Sequence, residues 1–191
     1  MIKIGYQGIE YSNNHIAAEK FVESEQMENC VLVPLISSAN VVYKLINDEI
    51  DLGIMAISNS TIGQIRETQN ALEGKNLTEY ARIEFIIKHA AFKLDKNLEN
   101  SNVRYVVSHE AALGQCQNNI KISYPNAELK AIENTALGPG MLVDGKISPL
   151  SVILCPPKAG EKYNLFMDSE DMSDKNNNVT TFGVFKTIKQ N

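Results

Sequence analysis

Four short clusters of hydroxyl and amide side chains are the residues in this sequence best suited to chemistry. Each follows a predicted strand and begins a predicted helix: residues 8–12, Asn59-Ser60-Thr61, Ser108-His109 and Asn134-Thr135. Helix N-termini present free N–H groups and a partial positive charge, which together bind carboxylate or phosphate. In open parallel sheets, ligands lie outside the carboxyl ends of the strands. The clusters predict a cleft for a small anion, although helix capping alone also explains each single cluster.

The histidines and cysteines do not form a metal-binding or nucleophile pattern. His15, His89 and His109 are isolated in the sequence and lack the spacing of zinc ligands. His109 lies about two helical turns before Cys116, roughly 10 Å along a helix axis, which is too far for a direct hydrogen bond. We therefore expect packing or surface roles for the histidines, a buried and unreactive Cys116, and neither metal nor cofactor.

Alternating strands and helices must position the polar clusters. The apolar segments predict strands at 1–6, 31–35, 51–57, 82–94, 103–107, 128–132, 152–154, 165–167 and 179–188. Helices are predicted to begin near residues 12, 37, 61, 108, 134 and 156. This order is typical of an α/β protein with mainly parallel sheets. A change of pattern near residues 75–85 predicts two lobes that exchange strands, one of residues 1–80 plus about 166–191 and one of about 81–165.

The charge of the chain limits the classes of partner. The net charge of −5 makes a broad attraction for nucleic acid or for an anionic membrane improbable. Of the 18 basic residues only Arg66, Arg82 and Arg104 are arginines. An anionic ligand must therefore be held by local donors. The three cysteines have unrelated spacings, and the N-terminus lacks an export signal, so we expect a cytoplasmic protein.

Five segments, in order along nearly the whole chain, resemble motifs of the prephenate dehydratase and arogenate dehydratase catalytic domain. The most specific is 108–116, Ser-His-Glu-Ala-Ala-Leu-Gly-Gln-Cys, which is similar to Ser-His-Pro-Gln-Ala-Leu-x-Gln-Cys. The others are Tyr6-Gln7-Gly8 followed by Tyr11-Ser12 and Ala17-Ala18, Asn59-Ser60-Thr61 with Gly63, Asn134-Thr135-Ala136, and Asn178-Val179-Thr180-Thr181-Phe182.

The resemblance implies a bilobed fold like that of the type 2 periplasmic binding proteins, with two mixed, mainly parallel sheets and a ligand cleft between the lobes. It implies a lyase of phenylalanine biosynthesis that removes carbon dioxide and water from prephenate or arogenate, both small cyclohexadienyl carboxylates. Thr180 would be the catalytic hydroxyl near the departing group. The expected substrate-binding residues are Asn59, Ser60, Thr61, Ser108, Gln115, Thr135 and Thr181. A homodimer is possible, and no ACT regulatory domain is expected because the sequence ends at Asn191.

The sequence also departs from the motifs of the family. The Arg of Asn-x-Thr-Arg-Phe is Thr181, the Glu before Asn59 is Ser58, and the Pro-Gln of the Ser-His motif is Glu110-Ala111. Arginine binds carboxylates through two parallel hydrogen bonds, which threonine cannot reproduce. Loss of a charge-assisted hydrogen bond costs about 1.5–3 kcal/mol. The departure at Thr181 therefore weakens the assignment of the reaction more than that of the fold.

Three functions are compatible with these residues. The first is a dehydratase-like lyase. The second is a relative with changed chemistry, such as a decarboxylase of secondary metabolism that leaves the ring hydroxyl in place. The third is a non-catalytic protein that binds a small acid in the same cleft.

Overall fold

The protein divides into two compact units in the computed structural model, which describes residues 1–188. The first unit comprises Met1–Ile86 and the described residues from Asn177 onward, and the second is Ile87–Asn176. The chain therefore passes from the first unit to the second after Ile86 and returns after Asn176, later than the boundaries predicted near residues 80 and 165. The reason is that the strand before Ile87 stays in the first sheet to its end, while the strand that follows Leu165 pairs in the second sheet. The predicted lobe also included residues 189–191, which lie outside the described residues.

The first unit is a mixed sheet with helices on both faces. Its elements are β1 (Ile2–Tyr6), α1 (Asn13–Ser24), β2 (Cys30–Pro34), α2 (Ser38–Ile46), β3 (Leu52–Asn59), β4 (Gly63–Gln64), α3 (Arg66–Leu72), β5 (Leu77–Ile86) and β11 (Val179–Thr187). The strand order is β2-β1-β3-β11-β5, and β4 pairs with β3. Strands β1, β2 and β3 are parallel, whereas β11 lies antiparallel between β3 and β5.

The second unit is built in the same way. Its elements are β6 (Ala90–Lys93), a 3₁₀ turn (Asn100–Asn102), β7 (Tyr105–Ser108), α4 (Glu110–Gln115), α5 (Gln117–Ser123), β8 (Glu128–Ala131), a second 3₁₀ turn (Thr135–Leu137), α6 (Gly138–Val143), β9 (Ser151–Cys155), α7 (Pro157–Lys162) and β10 (Phe166–Ser169). The strand order is β10-β6-β9-β7-β8. Strands β7, β8 and β9 are parallel, whereas β6 is antiparallel to both β9 and β10.

Each unit has its own apolar core beneath its central strands. Every residue of β9 is buried, as expected for a strand covered on both faces. In the first unit α2 packs closely on β3. The absence of a side chain at Gly53 permits this contact, since a Cβ there would lie only 2.6 Å from Val41. The two clusters of buried core residues are Leu35, Val41, Val42, Leu45, Ile50, Met55 and Phe185 in the first unit, and Ala91, Val103, Val106, Leu113, Cys116, Ile120, Tyr124, Val152, Leu154 and Met172 in the second.

Two predictions about local structure are wrong. The residues Ser58 to Thr61 do not cap a helix: β3 runs to Asn59, the chain turns into β4, and α3 begins only at Arg66. The side chain of Asn59 favours this turn, because its oxygen accepts the N–H groups that follow. The predicted strand 82–94 is two strands, β5 and β6, which belong to different sheets.

A buried ion pair joins three parts of the second unit. Lys93 on β6 is only 3% exposed, and its Nζ lies 2.7 Å from Oδ1 of Asp168 on β10. The ammonium also donates to the carbonyl of Leu98 and to Oδ1 of Asn100. Tyr124 donates its hydroxyl to the other carboxylate oxygen of Asp168 at 2.5 Å. The charges are therefore paired and hydrogen-bonded, as buried charges must be.

We expect Lys93→Met to lower the free energy of unfolding by about 3–5 kcal/mol, because the variant leaves the carboxylate of Asp168 without its counter-charge. Urea unfolding measures this loss. The matched control is Lys146→Met, which removes a solvent-exposed pair with Asp144 and should cost at most about 1 kcal/mol. Equal stabilities of the two variants would contradict a structural role for the buried pair.

Candidate functional site

In both sheets the polar clusters lie at one edge, where parallel strands end and an antiparallel strand begins. In the first unit this edge carries the ends of β1 and β3 and the start of β11, since Thr180 is the register partner of Asn59. In the second unit it carries the ends of β7 and β8, where Ser108 is the register partner of Ala131. It is the edge at which open α/β sheets bind ligands.

Strand β3 extends beyond its neighbour β1, and only the short strand β4 pairs with its last two residues on that side. Strand β1 ends at Tyr6, opposite Ile54. Further along β3, the N–H of Ala56 donates to Oδ1 of Asn14 on α1, and its carbonyl accepts the hydroxyl of Thr68 on α3. The two side chains provide the hydrogen bonds that a neighbouring strand would otherwise make to the backbone of Ala56. The register with β11 then shifts by one residue, which brings Asn59 opposite Thr180.

The carboxamide of Asn59 is held in one orientation. Its Oδ1 accepts the backbone N–H groups of Thr61 (2.9 Å) and Ile62 (3.2 Å), which can only donate. The opposite end is therefore the nitrogen, and Nδ2 donates to Oδ1 of Asn178 and to Oγ1 of Thr180, both at 2.8 Å. The side chain is buried and uses all four of its ordinary hydrogen bonds.

This orientation fixes what the hydroxyl of Thr180 can do. The amide nitrogen of Asn59 has no lone pair to offer, so Oγ1 of Thr180 is the acceptor and the hydroxyl hydrogen is not used in this bond. Within residues 1–188 the hydroxyl of Thr180 donates no hydrogen bond of its own. Thr180 is 7% exposed at the edge of the sheet. The geometry presents it as a hydrogen-bond donor toward the edge.

An aromatic wall lies beside Thr180 on the same face of the sheet. Phe85 is the register partner of Thr180 on β5, and its ring stacks on Phe182 with centroids 5.0 Å apart. The ammonium of Lys20, from α1, lies 5.6 Å from the centroid of the Phe85 ring. The face therefore combines a donor, an apolar surface and a cation, which suits a small anion with a ring.

Thr181 lies on the other face. Neighbouring residues of a strand point to opposite faces, and the hydroxyl of Thr181 donates to Oε1 of Glu84 at 2.8 Å. Glu84 is exposed and is its register partner on β5. The structure thus places the predicted catalytic residue Thr180 and the predicted substrate-binding residue Thr181 on opposite faces of the sheet.

The other predicted residues of the first unit have structural contacts. The hydroxyl of Ser60 donates to the carbonyl of Asn177 at 2.6 Å and accepts the N–H of Val179 at 3.0 Å. It therefore anchors the turn after β3 to the start of β11. Thr61 is exposed, and its N–H is the one bound by Asn59.

The N-terminus of α2 is already occupied by a carboxylate of the protein. Glu67 accepts the N–H of Ser38 at 2.9 Å with one oxygen and Nε2 of Gln7 at 2.9 Å with the other. A carboxylate at this position compensates the partial positive charge of the helix. The N-terminus of α1 is capped by Ser12, whose hydroxyl oxygen accepts the N–H of His15.

The predicted residues of the second unit share the edge but differ in accessibility. Ser108 is fully buried and donates its hydroxyl to the carbonyl of Leu154 at 2.7 Å. It does not cap α4 as predicted, because that role belongs to His109, whose Nδ1 accepts the N–H of Ala111. Thr135 is half-buried and begins the 3₁₀ turn that Asn134 caps.

Gln115 ends α4 and contacts a buried histidine. Its Oε1 lies 2.8 Å from Nε2 of His89, which is 4% exposed. A loop ties both residues together: Asp174 donates its N–H to the carbonyl of Gln115, and Oδ1 of Asp171 accepts the N–H of His89. Burial lowers the pKa of His89, against the raising effects of the Gln115 bond and of Asp171.

Two residues of these networks were missed by sequence reasoning. Asn178 directly precedes β11 and lies two residues before Thr180, and this alternate spacing, which is that of residues on one side of an extended chain, could have identified it. His89 carries no such signal, because its partner Gln115 is distant in sequence and the contact depends on tertiary structure.

Other reactive groups do not add to the site. Cys116 is fully buried, and burial raises the pKa of its thiol to about 12, so the thiol stays protonated. Among residues 1–188, no three His, Cys, Asp or Glu side chains are grouped as metal ligands would be. Within the same residues, no helix combines the length and apolar character needed to cross a membrane.

Comparison with known proteins identifies relatives of the chain. The sequence model of the family described as prephenate dehydratase matches residues 4–190. The prephenate dehydratase of Methanocaldococcus jannaschii is 32% identical over 150 residues, which cover 77% of this chain and 53% of that protein. The chain spans about half the length of the curated relatives that it matches.

Solved structures show the same fold. A prephenate dehydratase from Arthrobacter aurescens, in complex with L-Phe, has a TM-score of 0.83 at 19% identity and covers 99% of this chain and 61% of its own. A putative methionine-binding lipoprotein from Bacillus subtilis has a TM-score of 0.53 at 9% identity, with 97% and 83% coverage. The predicted fold class, with two mixed sheets like those of periplasmic binding proteins, is confirmed.

We expect acid to destabilise the protein through His89. Because burial lowers its pKa in the folded state, the unfolded chain binds a proton below about pH 6.5 that the folded chain does not. The free energy of unfolding that the neutral His89 contributes is therefore intact above that pH. It is lost as the pH falls toward the pKa of His89 in the folded state. Its slope is at most about 1.4 kcal/mol per pH unit. Urea unfolding of wild type and His89→Gln between pH 7.5 and 5 measures the difference.

The variant His109→Gln is the control, because it leaves His89 in place and should keep the steeper decrease of the wild type. A His89→Gln variant with the same pH dependence as the wild type would contradict the prediction.

Proposed function

Because the chain belongs to the prephenate dehydratase family, we propose that it is a lyase that converts prephenate to phenylpyruvate, carbon dioxide and water. The observation that carries the proposal is the Asn59–Thr180 hydrogen bond, which leaves the hydroxyl hydrogen of Thr180 available to a ligand. The family match supports it, as does the placement of Thr180 opposite Asn59, at the edge where open α/β sheets generally bind ligands.

The reaction has a simple electronic requirement. The bond between the ring and its carboxylate breaks, and its electron pair enters the ring and completes the aromatic system. At the opposite ring carbon, the C–O bond breaks and its electron pair leaves on oxygen. That oxygen becomes water when it acquires one proton from solvent or from a donor. Negative charge therefore develops on the leaving oxygen in the transition state.

We propose that Thr180 donates its hydrogen bond to that leaving oxygen. A threonine hydroxyl is a weak acid, so its contribution is a positioned donor that is stronger in the transition state than in the ground state. The donor needs no reorganisation, because Asn59 already holds the oxygen of Thr180 from the other side. The stacked rings of Phe85 and Phe182 provide an apolar surface for the ring of the substrate.

Substrate carboxylates need donors, and the second unit offers candidates at its own edge. Gln115 and Thr135 are the partly accessible ones, whereas the hydroxyl of Ser108 is committed to Leu154. That residues of both units contact one substrate comes from the resemblance and stays a prediction. The cytoplasmic location and the homodimer also stay predictions.

We propose that the side chain at position 181 contacts the neighbouring strand β5 and does not contact the substrate. The hydroxyl of Thr181 is bound to Glu84, on the face opposite to Thr180. An arginine at this position would meet the carboxylate of Glu84 first. The absence of the motif arginine is then compatible with dehydration of prephenate.

We expect Thr180→Val to lower kcat/KM for phenylpyruvate formation by about 10²–10³-fold, as loss of one positioned donor does at other sites. Thr180→Ser keeps the hydroxyl and should keep most of the activity. The matched control is Thr181→Val on the adjacent position. Purified variants are incubated with prephenate, and both phenylpyruvate and carbon dioxide are measured.

The products decide between the proposed reaction and its alternatives. Carbon dioxide without an aromatic product would indicate decarboxylation that leaves the ring hydroxyl in place. Unchanged activity of Thr180→Val would contradict the role of this hydroxyl, and no turnover by the wild type would contradict the proposed function itself.

We expect Thr181→Arg to change kcat/KM by no more than about threefold, because its new contact is an exposed ion pair worth less than ~1 kcal/mol. Steady-state kinetics with prephenate test this. A gain of one to two powers of ten, equivalent to about 1.5–3 kcal/mol, would instead show that position 181 binds a substrate carboxylate.

A further inference from the structure

We propose that His89 is a positioning residue, which orients the carboxamide of Gln115 by donating Nε2–H to its Oε1. The inference rests on the proposed function for its kinetic consequences, since it concerns the donor that Gln115 offers to the substrate. Its structural content, the tautomer of His89 and the orientation of the Gln115 amide, is independent of any activity.

The contact has one favourable arrangement of hydrogens. With Oε1 of Gln115 facing His89, the ring carries its hydrogen on Nε2, and the 2.8 Å contact is a normal hydrogen bond. With the amide reversed, the ring hydrogen would move to Nδ1. Nδ1 is buried and has no hydrogen-bonding partner among the described residues. A buried N–H without an acceptor is rare and costly, so the first arrangement is favoured.

The same feature argues against a role in stability alone. Nδ1 of His89 is a buried polar atom without a partner even in the favoured arrangement. Such an atom costs free energy that an apolar side chain of similar size would not. Because only Nε2 of the His89 ring has a hydrogen-bonding partner, we explain the presence of a histidine here by the bond from Nε2 to Gln115.

The surroundings hold both partners still. The N–H of His89 donates to Oδ1 of Asp171, and the carbonyl of His89 accepts the N–H of Met172. The carbonyl of Gln115 accepts the N–H of Asp174. Asp174 in turn accepts the first N–H groups of α5 from Asn118 and Asn119. The loop of residues 171–174 therefore fixes the backbones, and the bond between His89 and Gln115 fixes the side chains.

Burial keeps His89 neutral at physiological pH, because desolvation of the ring outweighs the nearby carboxylate of Asp171. A neutral ring with the hydrogen on Nε2 presents one donor to Gln115. The nitrogen end of the carboxamide is consequently turned away from His89.

The first test is ¹⁵N NMR of the histidine rings in the intact protein at pH 7.5. We expect His89 to be neutral and protonated on Nε2, as identified by loss of its signal in His89→Gln. A ring protonated on Nδ1, or on both nitrogens, would overturn the inference whatever the enzyme does.

The second test is steady-state kinetics with prephenate. Glutamine can place an N–H close to the position of Nε2, so His89→Gln should keep kcat and KM within about threefold of wild type, while His89→Leu loses the bond and raises KM about tenfold. A purely structural defect would reduce the active fraction, which lowers the apparent kcat and leaves KM unchanged. Thermal unfolding of both variants monitors that defect directly.

The third test is the double variant. If His89 acts through Gln115, His89→Leu should add nothing to the KM of Gln115→Leu. Multiplying effects, or a rise in KM for His89→Gln equal to that for His89→Leu, would overturn the inference. Absence of turnover by the wild type would instead contradict the proposed function, and the NMR result would still decide the positioning role.

Discussion

The hydrogen bond from Asn59 to Thr180 is the interaction on which the account of this protein depends. It joins the end of β3 to the start of β11, residues 121 positions apart in the sequence. Its direction is fixed by the backbone, because two N–H groups hold the oxygen of the Asn59 carboxamide and leave only the nitrogen for Thr180. A hydroxyl is an ambiguous group in isolation. Here the fold makes it a donor toward the edge of the sheet.

The path of the strands makes this bond possible. Strand β11 returns antiparallel beside β3, so the start of one lies at the end of the other. Asn14 and Thr68 satisfy the backbone of β3 where β1 no longer accompanies it. The second unit repeats the principle, with the oxygen of the Gln115 carboxamide facing a buried histidine. In the first unit the amide is oriented by backbone N–H groups of the turn after β3, and in the second we propose that it is oriented by the ring of His89.

The sequence predicts the fold better than the site. Strands such as β9 are recognisable because they are continuously apolar, and the order of the motifs identifies the family over nearly the whole chain. The polar clusters follow the ends of parallel strands, as the sequence indicates, and their part in ligand binding stays a prediction. Ser60 and Ser108 have the residue types of ligand donors, yet their hydroxyls bind backbone carbonyls. Thr181 points away from Thr180 because strand residues alternate, and His89 meets Gln115 only through tertiary packing. These contacts depend on tertiary packing, and neither the spacing nor the types of the residues in the sequence specify that packing.

The most direct test of the central claim is the kcat/KM of Asn59→Asp for phenylpyruvate formation from prephenate, measured alone and combined with Thr180→Val. Aspartate has the same shape and still accepts the N–H groups of Thr61 and Ile62, but its second oxygen would capture the hydroxyl hydrogen of Thr180. We expect the kcat/KM of Asn59→Asp to fall to the level of Thr180→Val, and that of the double variant to fall no further. Wild-type activity of Asn59→Asp, or losses that multiply in the double variant, would contradict this expectation.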